Sequence, residues 1–136
     1  MTTTETRGRL LVVDDSRINR LLAVAMLKRE GWETVEVEDG QSALDMLAGD
    51  TRFRAVLLDI SMPGMSGEAV CRALRADPRH ADLPIVAYTA HAMNEELQRI
   101  LSAGFDDILV KPINIATLRD TLERVLATRD AQRKDA

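Results

Sequence analysis

Five short apolar runs alternate with five segments of helical spacing along this chain, and this alternation restricts the possible fold more than any other feature. As a group the apolar runs are rich in Val, Ile and Leu and lack strict polar–apolar alternation, which is typical of strands covered on both faces. They are Leu10–Val13, Thr34–Val37, Ala55–Leu58, Ile85–Tyr88 and Ile108–Val110. Repeated strand–helix alternation predicts an α/β fold, in which helices cover both faces of a five-stranded parallel sheet.

The segments that follow these strands are predicted to be helices. They are Ser16–Glu30, Gln41–Leu47, Gly67–Ala76, Met93–Ala103 and Ile115–Ala127. Gly31 and Gly104 are suitable helix stops, and Asn114 is a suitable N-cap for the last helix. The pattern predicts one domain with a loose tail at each end. The predicted ranges are a flexible N-terminal tail at 1–8, the domain at 9–127 and a flexible C-terminal tail at 128–136.

Composition and charge argue against several classes of protein. The chain has 136 residues, a formal net charge of −4 at pH 7 and one cysteine, Cys71. These features argue against a nucleic-acid-binding surface and exclude an internal disulfide. No apolar run approaches the roughly 20 residues of a membrane-spanning helix, and the starting stretch "MTTTETRGR" lacks the apolar middle of a secretory signal. We therefore expect a cytoplasmic protein without nucleic-acid or membrane partners.

Polar side chains follow four of the five predicted strands, at the point where each strand ends. They are Asp14 and Asp15 after the first, Asp59 after the third, Thr89 after the fourth and Lys111 after the fifth. Taken singly, each has an ordinary explanation as a turn, a helix cap or a solvated loop residue. Because ligands bind at the carboxyl ends of strands in an open parallel sheet, their joint placement predicts a site with three carboxylates, a hydroxyl and an ammonium.

This set of groups suits phosphoryl transfer. Clustered carboxylates are typical ligands of Mg²⁺, which often retains several waters and binds phosphate oxygens. A carboxylate can also act as a nucleophile, while an ammonium and a hydroxyl can contact phosphoryl oxygens. Phosphoryl transfer depends mainly on positioning and on neutralising charge. The residues therefore predict a protein that accepts a phosphoryl group on an aspartate.

Four motifs in order resemble the response-regulator receiver domain of two-component signalling. They are "VVDDS", "LLDISMPGMSG", "YTA" and "VKPI", and the resemblance extends from about Leu10 to Leu126. It implies a flavodoxin-like, doubly wound (βα)5 fold with strand order 2-1-3-4-5. It also implies a cis peptide bond before Pro112, which only a proline makes accessible at low cost.

The resemblance also implies roles for the site residues. Asp59 matches the phosphoacceptor, Asp15 the carboxylate that binds Mg²⁺ or Mn²⁺ directly, and Asp14 the one that acts mostly through a metal-bound water. Ser61 matches the position whose backbone carbonyl is a metal ligand. The side chains of Ser61 and His91 match positions associated with the lifetime of the phosphoryl group, although His91 equally suits a solvent-exposed imidazole.

The remaining matched positions belong to the switch of the family. Thr89 matches the hydroxyl that moves toward the phosphoryl group, with Ala90 next to it, and Lys111 matches the lysine that contacts the phosphoryl group. One position departs from the pattern, because Ile108 stands where many members carry an aromatic residue on the fifth strand. The aromatic half of the usual switch is therefore missing.

The first helix is apolar on more than one face. A helical wheel places one set of residues on the arc that receivers bury: Asn19, Leu22, Ala23, Met26 and Leu27. It places a second set opposite: Ile18, Leu21, Val24 and Ala25. Such a helix is usually contacted on both sides. By resemblance, Ile18, Leu21, Ala25 and Ile113 predict the surface that meets a histidine kinase or a histidine phosphotransfer domain.

The sequence carries no recognisable output domain, so signalling is expected through binding of a downstream protein or through onward phosphotransfer. The chain is either a complete single-domain regulator or a receiver cut from a hybrid kinase, and the polar start weakly favours the former. We expect a monomer or weak dimer that catalyses only its own phosphorylation and dephosphorylation, and is not otherwise an enzyme.

Two other functions remain open at this point. A phosphatase of the haloacid dehalogenase type also uses an aspartate nucleophile, Mg²⁺, a hydroxyl and a lysine on a parallel sheet. It normally carries Asp-x-Asp after its first strand, whereas this chain has Asp14-Asp15-Ser16 and little room for a cap domain. A purely structural interaction module would leave the acid cluster unexplained.

Overall fold

The computed structural model describes residues 7–50, 52–90 and 93–134. Within these residues, five strands and five longer helices alternate. The strands are β1 (Arg9–Val13), β2 (Glu33–Val37), β3 (Phe53–Asp59), β4 (Ile85–Thr89) and β5 (Asp107–Val110). The helices are α1 (Arg17–Arg29), α2 (Gly40–Gly49), α3 (Gly67–Ala76), α4 (Asn94–Ser102) and α5 (Ile115–Lys134), and a single 3₁₀ turn lies at Pro78–His80.

The strands form one sheet in the order β2-β1-β3-β4-β5, and every neighbouring pair is parallel. This confirms the predicted fold class and strand order. The register pairs Val13 with Val37 and with Leu58, and it pairs Asp59 with Tyr88. The carboxyl ends of the three central strands therefore lie side by side, which brings the acids after β1 and β3 to one edge.

Alternate residues of each strand enter two separate apolar cores, one on each face of the sheet. Leu11 and Val13 pack on the face covered by α2, α3 and α4. Leu10 and Val12 pack on the opposite face, which α1 and α5 cover. All four side chains are fully buried. Burial on both faces explains why these strands are apolar almost throughout.

The local signals for helix ends and for the peptide bond before proline are confirmed. The Asn114 side chain accepts a hydrogen bond from the backbone N–H of Thr117 at 2.8 Å, as an N-cap does. Gly31 and Gly104 follow α1 and α4 with φ values of 90° and 113°, the left-handed conformation that glycine favours at a helix end. The Lys111–Pro112 bond is cis.

Among the described residues, no helix has the combined length and apolar character needed to cross a membrane.

The prediction of a C-terminal tail from residue 128 is wrong as far as residue 134, because α5 continues to Lys134. Long-range charge pairs support the added turns. Arg129 lies 2.7 Å from a carboxylate oxygen of Asp106, and Arg54 lies 3.9 Å from Asp130. These partners lie outside α5, so its own periodicity does not reveal them. The predicted tails at residues 1–6 and 135–136 lie outside the described residues.

The rotation of α1 differs from the helical wheel. Val24, predicted on the outer side, is only 6% exposed and packs in the core. Leu22, predicted to be buried, is 54% exposed. The buried residues of α1 are Ala23, Val24 and Leu27. A helix that is apolar all round has no single stripe that fixes its rotation, so the shape of the sheet beneath it decides which face turns inward.

Candidate functional site

The end of β1 holds Asp14 inside the protein and Asp15 at its surface. The Asp14 side chain is fully buried, and its Oδ1 atom accepts a hydrogen bond from the backbone N–H of Ser16 at 2.8 Å. Ser16 in turn caps α1 by accepting from the backbone N–H of Asn19 at 3.3 Å. The strand end and the helix start thus hold Asp14 in place through local bonds, while Asp15 is exposed.

The end of β3 holds Asp59 beneath a tightly packed loop. Asp59 is 2% exposed, and its Oδ1 atom accepts from the backbone N–H of Ser61 at 3.3 Å. Gly67 begins α3 directly against this strand end. The approach is so close that a Cβ atom at this position would lie 2.2 Å from the Asp59 backbone oxygen. The Gly67 N–H also donates to the Ile60 carbonyl at 3.0 Å. Only glycine allows the approach that closes this loop over the site.

The three predicted carboxylates come together at this edge. One oxygen from each of Asp14, Asp15 and Asp59 can be chosen so that all three lie within 4.8 Å of one another. The Oδ2 atom of Asp14 is buried and makes no hydrogen bond within the described structure. Carboxylate oxygens are hard ligands, so three carboxylates this close together fit a small divalent cation such as Mg²⁺. The Asp14 Oδ2 atom, which accepts no hydrogen bond from the described residues, is free to act as one of these ligands. The side chain of Ser61, whose carbonyl the resemblance adds to this set, is exposed.

Lys111 supplies the positive charge of the site. Its Nζ atom lies 3.3 Å from Asp59 Oδ1 and 3.6 Å from Asp14 Oδ2. The longer distance is an ion pair but is too long for a hydrogen bond, which agrees with the unbonded Asp14 oxygen. The Lys111 backbone N–H donates to the Thr89 carbonyl at 2.7 Å. One ammonium therefore faces two buried carboxylates and only partly neutralises them.

This shortage of positive charge alters the ionisation of Asp59. Burial, followed by the negative charge of Asp14, raises the pKa of Asp59 to about 7, against the opposing effect of Lys111. A raised pKa favours the protonated form in the folded state, whereas an unfolded aspartate ionises near its ordinary pKa of 3.8. The folded state therefore binds more protons than the unfolded state between these two values.

We expect the protein without a divalent cation to lose stability as the pH rises from about 4 to about 7. The stabilising contribution is complete below the unfolded pKa and is lost as the pH passes through the folded pKa. Urea unfolding in EDTA across this range measures the slope, and Asp59→Asn should flatten it. An equal slope in the variant would show that other groups cause the dependence.

The described switch residues lie at the end of β4 and on β5. Thr89 ends β4, is buried and lies in register with Val110 of β5, while Ala90 is exposed. Ile108 is half-buried and packs against the core on the α2–α3–α4 side of the sheet. His91 lies outside the described residues.

An exposed apolar surface flanks the acid cluster on α1. Ile18 is 71% exposed and Leu21 is 54% exposed, while Ala25 is exposed and Ile113 is half-buried. The rotation of α1 adds Leu22 to this group, because it also faces outward. The predicted residues and Leu22 together are called the α1 surface below. Exposed apolar groups of this size are typical of surfaces that bind partners.

Two residues of the site were not predicted. Arg20 of α1 donates from Nη1 to the Asp14 backbone carbonyl at 2.7 Å and from Nε to Glu36 of β2 at 3.3 Å. Tyr88 places its ring beneath Lys111, with Nζ 4.3 Å from the ring centre. The only available signal for Tyr88 was a hydroxyl in a strand predicted to be buried, which needs a hydrogen-bond partner. Arg20 gave no signal, because its partners come from two other elements.

A comparison with protein families identifies this arrangement. The model of the response regulator receiver domain matches residues 10–123, which include all five strands except the first residue of β1, together with the acid cluster, Thr89 and Lys111. The matched region extends into α5 and covers most of the described chain. This match confirms the motif resemblance over nearly the whole domain.

Two groups of curated proteins are similar to the chain. It is 43% identical over 109 residues to Sensor protein GacS of Pseudomonas syringae pv. syringae, covering 78% of this chain but 12% of that protein. It is 36% identical over 123 residues to chemotaxis protein CheY1 of Helicobacter pylori strain J99, covering 90% of this chain and 99% of that protein. The chain thus spans a small part of the sensor protein and nearly all of the chemotaxis protein.

Solved structures of receiver proteins share this fold. The chemotaxis protein CheY4 of Vibrio cholerae is 33% identical with a TM-score of 0.81, covering 87% of this chain and 98% of that one. The receiver domain of a sensor histidine kinase from Pseudomonas aeruginosa PAO1 is 32% identical with a TM-score of 0.82, covering 88% and 98%; its structure has a magnesium ion coordinated in the active site cleft. By its motifs, its sheet order and its matched family, this chain belongs to the response-regulator receiver domains of two-component systems.

Proposed function

We propose that this receiver domain accepts a phosphoryl group on Asp59 from a phosphohistidine of a histidine kinase or histidine phosphotransfer domain. The observation that supports this role is the position of the Asp59 carboxylate. It lies 3.3 Å from the Lys111 ammonium and within one oxygen cluster with Asp14 and Asp15. In the reaction a carboxylate oxygen of Asp59 forms the bond to phosphorus while the bond from phosphorus to the donor imidazole breaks.

The other residues bind and orient the reacting groups. Asp14, Asp15, Asp59 and the Ser61 carbonyl would hold Mg²⁺ or Mn²⁺, which supplies positive charge that offsets the phosphoryl group and the acids. Lys111 donates to a phosphoryl oxygen, and the Thr89 hydroxyl forms a second hydrogen bond after transfer. Without a divalent cation, the raised pKa of Asp59 keeps part of the protein protonated at this carboxyl group near neutral pH. Binding of the divalent cation would favour the ionised carboxylate, which is the nucleophilic form.

Acetyl phosphate separates the proposed function from its alternatives. Incubation with acetyl phosphate and Mg²⁺ should give a phosphoryl adduct on Asp59, detected by intact-protein and peptide mass spectrometry. Turnover of phosphate esters without a stable adduct would support a phosphatase of the haloacid dehalogenase type, which the family match does not favour. Neither adduct nor turnover would leave a structural interaction module.

We expect the α1 surface to contact the phosphodonor domain, since the donor imidazole must approach Asp59 from the open edge of the sheet that this surface flanks. Leu21→Glu should slow phosphotransfer from the cognate donor about tenfold, because it places a charge in an apolar contact. Labelling by acetyl phosphate should change far less. Quenched time courses with the radiolabelled donor domain and with radiolabelled acetyl phosphate measure the two rates.

Leu101→Glu is the matched control, because Leu101 is a similarly exposed leucine, at 48%, on α4. It should leave transfer from the donor close to the unmodified rate. An equal loss in both leucine variants, or an equal loss with both phosphodonors in Leu21→Glu, would contradict the assignment of the α1 surface.

The conformational response to phosphorylation should be larger around Thr89 and α4 than along β5. Ile108 is a branched aliphatic residue with few χ1 rotamers, so β5 has no large ring to move between exposed and buried positions. We expect amide shifts caused by a beryllofluoride phosphoryl mimic to be large at Thr89, Ala90 and α4, and small across Ile108–Val110. Large changes along β5, or conversion to a tight dimer, would contradict this expectation.

A further inference from the structure

Tyr88 joins two parts of the molecule that the site alone does not connect. Its side chain is 1% exposed and lies on the α1–α5 face of the sheet. The Lys111 ammonium lies over its ring, 4.3 Å from the ring centre. At the other end of the ring, the hydroxyl donates to the backbone carbonyl of Asn19 in α1 at 3.3 Å. The same side chain therefore contacts the cation of the site and the helix of the α1 surface.

The ring restricts where the Lys111 ammonium can lie. A lysine ammonium is a compact charge on a flexible four-carbon chain, so the two carboxylates alone do not fix its position. An aromatic face within about 6 Å of a cation attracts it. Asp59 and Asp14 attract the ammonium on one side, and the ring of Tyr88 supports it on another. Three contacts thus define the position from which Lys111 meets Asp59.

Tyr88 and Lys111 also line a groove between α1 and the loop after β5. The groove has a volume of about 60 Å³, and its other lining residues are Asn19, Leu22, Met26, Pro112 and Ile113. Leu22 and Ile113 belong to the α1 surface, so this surface and the phosphoacceptor site share the walls of one groove. Tyr88 contacts Lys111 through its ring and the backbone of α1 through its hydroxyl.

Tyr88 and Ile108 lie on opposite faces of the sheet. Ile108 packs on the α2–α3–α4 side, whereas Tyr88 packs on the α1–α5 side. Burial, and after it the Asp14 carboxylate, raises the pKa of Tyr88, so its hydroxyl stays protonated and remains a donor. The aromatic ring that is missing from β5 therefore has a counterpart on β4 that faces the other helix layer.

From these contacts we propose that Tyr88 is a positioning residue that holds the Lys111 ammonium against Asp59 with its ring and couples that position to the α1 surface through its hydroxyl. This inference rests on the proposed phosphoryl transfer to Asp59. Once Asp59 is phosphorylated, Lys111 follows the phosphoryl oxygens, its contact with the ring changes, and the bond from Tyr88 to Asn19 transmits the change to the groove.

Three substitutions separate the roles of the ring and the hydroxyl. Tyr88→Met fills much of the space without a ring, and should slow labelling by acetyl phosphate about threefold to tenfold at saturating Mg²⁺. Tyr88→Phe restores the ring and should recover most of that loss. Tyr88→Leu provides a second ringless side chain, which keeps the comparison informative if one variant folds poorly, as judged by its melting temperature.

A second measurement does not depend on the rate of labelling. In the unmodified protein, addition of beryllofluoride and Mg²⁺ should shift the amide signals of Asn19, Leu22 and Ile113. Tyr88→Phe should reduce these shifts at least twofold, while the signals of Thr89 and Ala90 still respond. A variant that merely weakens packing would alter the spectrum before beryllofluoride is added and would not separate the two groups of signals.

The possible outcomes distinguish failure of this inference from failure of the proposed function on which it rests. Absence of an adduct in the unmodified protein would contradict the proposed function itself. Labelling of the unmodified protein together with undiminished rates in both folded ringless variants would overturn the positioning role of the ring. Full α1 shifts in Tyr88→Phe would overturn the coupling through the hydroxyl.

Discussion

Asp59→Asn should abolish labelling of the domain by acetyl phosphate, even at saturating Mg²⁺. The amide of asparagine lacks the anionic oxygen that attacks phosphorus. The Lys111 Nζ atom lies 3.3 Å from Asp59 Oδ1, and no other described carboxylate of the site lies as close to it. We expect a loss of at least ~10³-fold, the order of loss seen when an essential nucleophile is removed from an enzyme. Intact-protein mass spectrometry with time points from seconds to hours measures the remaining adduct. EDTA should have a similar effect on the unmodified protein, because the acids then lack their counter-ion.

Asp120→Asn is the matched control for the loss of one negative charge. Asp120 is an exposed residue of α5, with a side chain 68% exposed, and its substitution should leave labelling unchanged. An adduct in Asp59→Asn at the unmodified rate would place the phosphoacceptor elsewhere. Labelling at full rate in EDTA would exclude the proposed role of the divalent cation.

Asp14→Asn should stabilise the cation-free protein and weaken its binding of Mg²⁺. Asp14 is fully buried beside Asp59, and its Oδ2 atom has no hydrogen-bond donor in the described structure. Replacing this carboxylate by an amide removes like-charge repulsion and the cost of an incompletely paired buried charge, which we place at about 1–3 kcal/mol in the free energy of unfolding. Lys111 keeps its partner Asp59. The loss of a ligand should lower the affinity for Mg²⁺ about tenfold or more.

Urea unfolding in EDTA and in a series of Mg²⁺ concentrations measures both effects. The unmodified protein should gain stability with Mg²⁺ by mass action, because the cation binds the folded state. Asp15→Asn is the control, since Asp15 is exposed and its substitution should weaken Mg²⁺ binding with little gain in cation-free stability. A cation-free protein that is less stable with Asp14→Asn would show that the ion pair with Lys111 outweighs the repulsion.

The chain's periodicities and turn residues predict most of the fold because they act locally. The short apolar runs and the helical segments between them predict five strand–helix units, and all five appear with bounds shifted by two residues or fewer, apart from the end of α5. The signals at Asn114, Gly31 and Gly104 depend on the backbone of neighbouring residues, and each was confirmed. The strand order came from the motif resemblance, since local patterns carry no information about which strands pair.

The acid cluster was also predictable, because parallel strands bring their carboxyl ends to one edge. That rule and the order of the motifs predicted that Asp14, Asp15, Asp59 and Lys111 would lie together. The distances among them required the structure, and so did the incomplete neutralisation by Lys111 that raises the pKa of Asp59.

The sequence by itself thus determined which segments form strands, which acids leave the strands at the site, and where most helices begin and end. Each of these follows from spacing along the chain. Tertiary structure alone decided the rotation of α1, the extension of α5 beside Asp106, and the contacts of Arg20 and Tyr88. The physical reason is that these features depend on partners outside the helix or strand concerned, and a local pattern contains no record of which charge, carbonyl or apolar face will lie opposite.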